Sequence, residues 1–199
     1  MATPIIGNMI FHEAGHTAMF TYYKIPIQSV SVRPDLAQGY GGMVLPAINE
    51  PEAGKEELEK WMRCAAAGQA AERRGYGRQP QDDPILKDIF ERTIDFLAKN
   101  PNPTFHDDML NFVRLALARD KEVAPEQAGP ANWITIWREA EELIRGQLWP
   151  AVEAVFKRLL SIAEANIGNP VEAMSDLDGE EAAVIVRAAL SSSSLYMPY

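Results

Sequence analysis

The chain has 199 residues, of which 47% are hydrophobic and 24% charged, and these proportions are typical of a globular protein. Its net charge of −9 argues against a nucleic-acid partner, since the only adjacent basic residues are the pairs Arg73–Arg74 and Lys157–Arg158. The single cysteine excludes an intrachain disulfide. With neither a secretory signal nor an apolar run near the ~18 residues of a membrane span, we expect a soluble, cytoplasmic protein.

The first 50 residues predict one helix followed by two short strands. Apolar residues and a first-turn proline indicate a helix over Pro4–Tyr23, which Pro26 ends. The β-branched run Ile27–Val32 predicts a strand, and Met43–Leu45 predicts a second one. The glycine-rich piece Gly39–Gly42 forms either a plain hairpin turn or the flank of an edge strand that could bind an extended peptide.

The remainder of the chain predicts helices separated by proline- and glycine-containing breaks. In the first of these helices the small residues Ala65–Ala71 would allow another element to approach closely. We expect an irregular segment over Gly168–Gly179 and a mainly α fold with a small β element (α+β). All of residues 1–199 would form a single domain with a variable connection near 100–135 and a C-terminal helical part at 133–190. The predicted helices are Glu56–Arg74, Asp83–Lys99, Thr104–Arg119, Trp133–Ala165 with a kink at Pro150, and Glu180–Leu190.

The segment His12-Glu-Ala-Gly-His16 fits the pattern H-E-x-x-H. Side chains four residues apart project from one face of a helix, so both imidazoles can reach one zinc ion. Zinc lowers the pKa of a bound water towards ~7, and Glu13 could accept its proton as general base. A chance pattern on a polar helix face is the alternative, but only three histidines occur in the chain.

This motif leaves the third ligand open. The longer pattern that adds a glycine and a third histidine is excluded, because Met19 and Tyr22 stand at those places. A carboxylate is the natural remaining ligand, and catalysis would need one zinc position free for water. Asp82 and Asp83 are explained as helix caps before a proline.

Several motifs in chain order resemble the FtsH peptidase family, the protease part of ATP-dependent zinc metalloproteases. HEAGH alone is moderately specific, whereas the ordered set is strongly so. The resemblance implies that family's helical peptidase fold and zinc-dependent endopeptidase activity on unfolded or flexible protein. The matching segments are Phe11–Ala18, Gln28–Pro34, Gly39–Pro46, Ala66–Glu72 with Tyr76–Gly77, Asp88–Thr93 and Leu177–Glu181.

The resemblance also implies a ligand set. One zinc ion per chain would be held by His12, His16 and Asp88, with Glu13 as general base and acid. Asp88 is preferred only because Asp88–Thr93 resembles the family segment that supplies the third ligand, and Glu72 is the main alternative. Pro84–Lys87 departs from the family pattern just before Asp88.

The expected partners are a polypeptide substrate and, by resemblance, further copies of the chain in a ring or a separate ATPase. No G-x-x-x-x-G-K-[ST] motif is present, so we expect cleavage to be indifferent to ATP. A zinc-binding module that serves assembly or regulation and cleaves nothing is the alternative function. Among other residues, we interpret His106 as an exposed or capping side chain, Cys64 as a buried inert thiol, and the tryptophans Trp133, Trp137 and Trp149 as packing residues.

Overall fold

Seven α-helices and a three-stranded antiparallel sheet account for most of the residues that the computed structural model describes, namely 4–33, 41–101, 107–166 and 176–193. The prediction of a mainly α fold with a small β element is confirmed. The predicted positions Gly39, Thr104 and His106 lie outside the described residues. The elements are α1 (Pro4–Tyr22), β1 (Ile27–Arg33), β2 (Gly41–Pro46), α2 (Lys55–Gly75), α3 (Asp83–Lys99), α4 (Asp108–Arg119), α5 (Pro130–Arg145), α6 (Trp149–Ala165), β3 (Asp176–Asp178) and α7 (Gly179–Ser192).

The sheet has the order β2-β1-β3, so β2 is an edge strand and β1 is central. Alternation along β1 buries Val30 and Val32 against the helices. The strand β3 was not predicted, because a strand of three residues, two of which are aspartates, carries little β signal. It forms since Ser29–Ser31 of β1 has a free edge on that side, with which Asp176–Asp178 pairs.

Helices α1 and α2 approach each other closely, as the small residues of α2 predicted. A Cβ atom added to Gly15 of α1 would lie 2.5 Å from the carbonyl oxygen of Ala67. Such a distance leaves room for a hydrogen atom only, so the two backbones are in contact there. This contact places the motif on α1 directly against the middle of α2.

The predicted long helix from Trp133 is two helices. Helix α5 begins at Pro130 and ends at Arg145, and α6 begins at Trp149, so the expected kink at Pro150 is a complete break. Pro150 lies in the first turn of α6, where a missing N–H costs nothing, whereas inside a continuous helix its ring would clash with a carbonyl of the preceding turn.

None of the helices within the described ranges combines the length and the apolar character needed to cross a membrane.

Candidate metal centre

Three side chains from two helices meet at the contact between α1, α2 and α4. His12 and His16 project from successive turns of α1, and their Nε2 atoms are 3.1 Å apart. Asp108, the first residue of α4, brings its Oδ2 atom to 2.6 Å from Nε2 of His12 and 3.0 Å from Nε2 of His16. The two imidazoles are thus brought together with a carboxylate that follows them by more than 90 residues in the chain.

The hydrogen-bond partners of His16 determine which ring nitrogen carries the proton. Its Nδ1 lies 2.7 Å from the backbone carbonyl oxygen of Cys64, which can only accept. Nδ1 of His16 therefore donates, and in the neutral ring Nε2 presents a lone pair towards Asp108. This arrangement, in which a backbone carbonyl orients the far nitrogen of an imidazole, is usual for histidine ligands of metals.

His12 has a carboxylate on each side of its ring. Oε2 of Glu72 lies 3.7 Å from Nδ1 of His12, too far for a hydrogen bond but within range of a charge interaction. Nδ1 is thus the nitrogen that faces Glu72, and Nε2 faces Asp108. Glu72 therefore lies beside the cluster rather than in it and can orient His12.

The cluster fits a metal cation by the chemistry of its donor atoms. With both rings neutral, two nitrogen lone pairs and a carboxylate oxygen converge within 3.1 Å of one another. Three electron-rich atoms repel one another unless a proton or a metal ion lies between them. Two imidazoles and one carboxylate are also a known protein ligand set for catalytic zinc, which leaves a fourth position for water or substrate.

Space beside the donor atoms is kept by a glycine of α2. A Cβ atom on Gly68 would lie 2.4 Å from Nε2 of His16 and 2.7 Å from Nε2 of His12. Any side chain at this position would displace the two nitrogens that converge. The small-residue stretch of α2 thus serves the cluster as well as the packing of α1.

Glu13 is buried beside the histidines, with only 3% of its surface exposed. Strand β2 covers it, because a Cβ atom on Gly42 would lie 2.3 Å from Oε1 of Glu13 and the backbone of Val44 hydrogen-bonds to its carboxylate. Burial raises the pKa of Glu13, although His16 and His12 act in the opposite direction. A carboxylate whose pKa lies above its usual range is better suited to accept a proton near neutral pH.

In the absence of a metal, the charges within the cluster shift the pKa values of its members strongly. Burial lowers the pKa of His12, but the contacts with Asp108 and Glu72 outweigh it and raise that pKa to about 10. The pKa of His16 is also raised, because Asp108 outweighs burial. Burial would raise the pKa of Asp108, but the two histidines hold it well below its usual range. Without a metal, protons therefore supply the positive charge that the donor atoms require.

The structure does not bring Asp88, the predicted third ligand, to the histidines. Its side chain lies on the outer surface of α3, 53% exposed, with Oδ2 2.8 Å from Nη2 of Arg92. The place expected for Asp88 is taken by Asp108, which the sequence analysis did not single out. Asp88 was chosen by the likeness of a short segment, and such a likeness does not determine which face of a helix meets the motif.

A weak signal for Asp108 exists in the sequence. It follows a proline-containing break and Asp107, whose side chain caps α4 by accepting from the backbone N–H of Leu110 at 3.0 Å. A carboxylate in a first helical turn has an ordinary explanation in the helix dipole, so nothing local marks Asp108 as different. Only the approach of α4 to α1 in the folded protein distinguishes Asp108 from an ordinary first-turn carboxylate.

The cysteine, the tryptophans and the Asp82–Asp83 pair, which the sequence analysis interpreted as structural, lie as follows. Cys64 is buried, and burial raises the pKa of its thiol well above the ordinary value, as expected for an inert side chain. Trp133 and Trp137 lie in the hydrophobic core, and Trp149 packs partly buried against it. Asp82 occupies the cap position of α3 without a cap hydrogen bond, and Asp83 pairs with Arg138 of α5.

Sequence comparisons add no family assignment: the chain matches no protein-family model, and no curated protein matches it significantly.

Proposed function

We propose that the protein is a zinc-dependent endopeptidase that acts on unfolded or flexible polypeptide. The observation that supports the proposal most strongly is the convergence of His12, His16 and Asp108 beside the buried Glu13. His12, His16 and Asp108 would hold one zinc ion per chain. Bound zinc would supply a Lewis acid that activates water for attack on a peptide carbonyl.

Glu13 is the residue proposed to move the proton. Its carboxylate accepts a proton from the attacking water and returns it to the nitrogen of the leaving amine. The covering strand β2 and the hydrogen bond from Val44 hold the carboxylate in one orientation. Exclusion of bulk water around Glu13 strengthens its interaction with the charges nearby.

The edge strand β2 is the proposed docking element for the substrate. It lies at the border of the sheet, and its residues Gly42 and Val44 contact Glu13. An extended peptide that pairs with the side of β2 opposite β1 would run beside Glu13, with its backbone groups satisfied by the strand. Unfolded segments can adopt this extended form, whereas folded substrates cannot, so preference for unfolded protein follows.

The decisive experiment combines metal analysis with a cleavage assay on unfolded casein. We expect about one zinc per chain after purification without chelator, and casein cleavage that a chelator stops. Glu13→Gln should keep zinc and lower the cleavage rate by roughly 10²–10⁴-fold, because the amide is nearly isosteric but cannot accept the proton. Cleavage by Glu13→Gln at the parent rate would show that Glu13 is not the base.

The metal analysis also separates this proposal from a zinc-binding module without turnover. Zinc with no cleavage by the parent protein would favour that alternative, and folded protein without zinc would exclude both. Addition of ATP should leave cleavage unchanged. A homo-oligomeric ring or an ATPase acting in trans stays a prediction from the family resemblance.

A further inference from the structure

The arginines of the chain, all within the described residues, divide into two groups. Seven of the twelve form ion pairs with carboxylates: Arg33, Arg63, Arg92, Arg119, Arg138, Arg158 and Arg187. The other five form no ion pair with a carboxylate in the described part of the chain: Arg73, Arg74, Arg78, Arg114 and Arg145. In a protein with a net charge of −9, cationic side chains without an acidic partner call for an explanation.

Four of the unpaired arginines lie together where α2 and α5 end, and we call them the arginine patch: Arg73, Arg74, Arg78 and Arg145. Hydrogen bonds connect them through the backbone, since Arg73 donates to the carbonyl of Gln79 and Arg145 to the carbonyl of Arg78. Arg74 stacks 4.2 Å from the ring centre of Trp149. Burial and the nearby charge of Arg145 lower the pKa of Arg74, which shows that the cations are close enough to repel.

The patch borders the candidate metal centre. Glu72 immediately precedes Arg73, and its Oε2 atom lies 3.7 Å from Nδ1 of His12. The contact with His12 lowers the pKa of Glu72 most, against burial, and the charges of Arg78 and Arg73 lower it further. The positive charge of the patch therefore begins one residue from the group that contacts a proposed zinc ligand.

Carboxylates lie near the patch without forming ion pairs with it. Glu72 faces Arg73 and Arg78, and Glu153 of α6 faces Arg74. Glu72 is also shared with His12. Within the described part of the chain, the four guanidinium groups thus remain without an ion-paired carboxylate beside the metal centre, although the chain as a whole is acidic.

Helix dipoles explain part of the patch but not all of it. Arg73 and Arg74 occupy the last turn of α2 and Arg145 the last turn of α5, where basic residues are favoured. Arg78 lies beyond the end of α2, with an exposed side chain whose guanidinium is 5.9 Å from the ring centre of Tyr76. Since the side chain of Arg78 neither lies at a helix end nor forms an ion pair with a described carboxylate, it is the side chain of the patch most available to a ligand.

We propose that the arginine patch is a substrate subsite that binds a carboxylate of the polypeptide close to the bond that is cut. This proposal rests on the proposed peptidase function. The carboxylate belongs either to a Glu or Asp side chain or to the C-terminus of the substrate. A guanidinium presents paired N–H donors that match the two oxygens of a carboxylate, which neither an amide nor a hydroxyl side chain does equally well.

The first test uses the zinc-loaded full chain and a set of eight-residue peptides. Each peptide carries one Glu among otherwise uncharged residues, at a different position in each, and has a twin with Gln in place of the Glu. Capped and free C-termini distinguish the two sources of carboxylate. We expect a ~3- to 10-fold higher kcat/KM for the carboxylate at one position or at the free end, falling with ionic strength. Equal kcat/KM for all Glu and Gln twins, with no effect of a free C-terminus, would overturn the subsite.

Substitutions test whether the arginine patch causes the preference for peptides that carry a carboxylate. Arg78→Gln should bring the Glu-to-Gln ratio to about one, and Arg78→Glu should invert the ratio. Arg114→Gln is the matched control, because Arg114 is also exposed and without an ion pair to a described carboxylate, but hydrogen-bonds only within α4. An equal loss of preference in Arg78→Gln and Arg114→Gln would show a general charge effect and would refute the subsite.

Binding to the Glu13→Gln protein separates this proposal from the peptidase function itself. Fluorescence anisotropy with all the Glu peptides, their Gln twins and a single-stranded oligonucleotide requires no turnover. Tighter binding of one Glu peptide than of its Gln twin, lost in Glu13→Gln/Arg78→Gln, would support the subsite even if the parent protein cleaved nothing. Equal binding of every Glu peptide and its Gln twin, or tighter binding of the oligonucleotide, would overturn it.

Discussion

Helices α3 and α4 both begin at the second residue of an Asp-Asp pair that a proline-containing stretch of sequence precedes, yet the two pairs have different surroundings. At α3, Asp82 makes no cap hydrogen bond and Asp83 pairs with Arg138 of α5. At α4, Asp107 caps the helix and Asp108 contacts both histidines of α1. The same local signal thus precedes an ion pair between helices in one place and a candidate metal centre in the other.

The difference lies in what each helix start meets. Asp83 has a side chain that is 62% exposed, whereas that of Asp108 is 34% exposed and faces two imidazoles. A carboxylate with an arginine partner is already neutralised, but one among neutral imidazoles still needs a cation. A pair of Asp residues therefore indicates where a helix starts. Which group the second Asp contacts, and so what chemistry it takes part in, depends on the helix that packs beside it.

The largest expected effect separates these two aspartates in zinc affinity. Asp108→Ala should lower zinc affinity by more than ~100-fold and abolish cleavage, because one of three protein ligands is lost. Asp83→Ala and Asp88→Ala should bind zinc within about twofold of the parent protein. Competition with a chromophoric chelator measures all three variants.

This prediction also tests the assignment that the sequence favoured. Tight zinc binding by Asp108→Ala, together with its loss in Asp88→Ala, would restore Asp88 as the ligand. Circular dichroism of each variant checks that a loss of zinc does not simply reflect a loss of folding.

A smaller effect is expected from Glu72, which lies against His12 but outside the converging atoms. Glu72→Gln should weaken zinc binding by roughly tenfold, since the partner that orients a histidine ligand contributes less than a ligand does. Glu91→Gln on the exposed face of α3 is the control and should have no effect. If Glu72→Gln lost as much zinc affinity as Asp108→Ala, Glu72 would instead be identified as the third ligand.

The pH dependence of stability should differ between the two helix starts. Contacts that raise the pKa of His12 from 6.5 to about 10 stabilise the metal-free protein fully below pH 6.5. That contribution is lost as the pH rises towards 10, whereas zinc binding strengthens because the imidazoles lose their protons. The Tm of chelator-treated protein should therefore fall between pH 6.5 and 9.5, and zinc should offset the fall.

The two aspartates provide the control for this pH effect. In Asp108→Asn the fall in Tm should be much reduced, because the carboxylate that contributes most to raising the pKa of His12 is gone. In Asp83→Asn it should persist unchanged. A fall of equal size in both variants would show that other groups cause it.

The smallest expected effect concerns the exposed pair between Asp88 and Arg92. Asp88→Ala should change the free energy of unfolding by less than ~0.5 kcal/mol, because a solvent-exposed pair four residues apart on a helix contributes little. Urea denaturation measures the change. A loss above ~2 kcal/mol would mean that Asp88 has a structural role that its exposure does not indicate.

Much of the fold could be predicted because it depends on local signals. The helix α1 and the strands β1 and β2 follow from proline positions and β-branched runs, and their bounds agree with the structure within two residues. Where contacts over long sequence distances matter, prediction fell short. The strand β3 depends on the edge of β1, and the break before α6 depends on how Pro150 fits the first turn.

By itself, the amino-acid sequence determined the helical motif that carries His12, Glu13 and His16, since a spacing of four residues places both imidazoles on one face of a helix. It could not determine the carboxylate that faces them or the meeting of Arg78 with Arg145. These groups come from separate elements of the fold, and sequence spacing sets no distance between elements. Their positions follow from packing, above all from the contact at Gly15 and Ala67 and from the approach of α4 to α1.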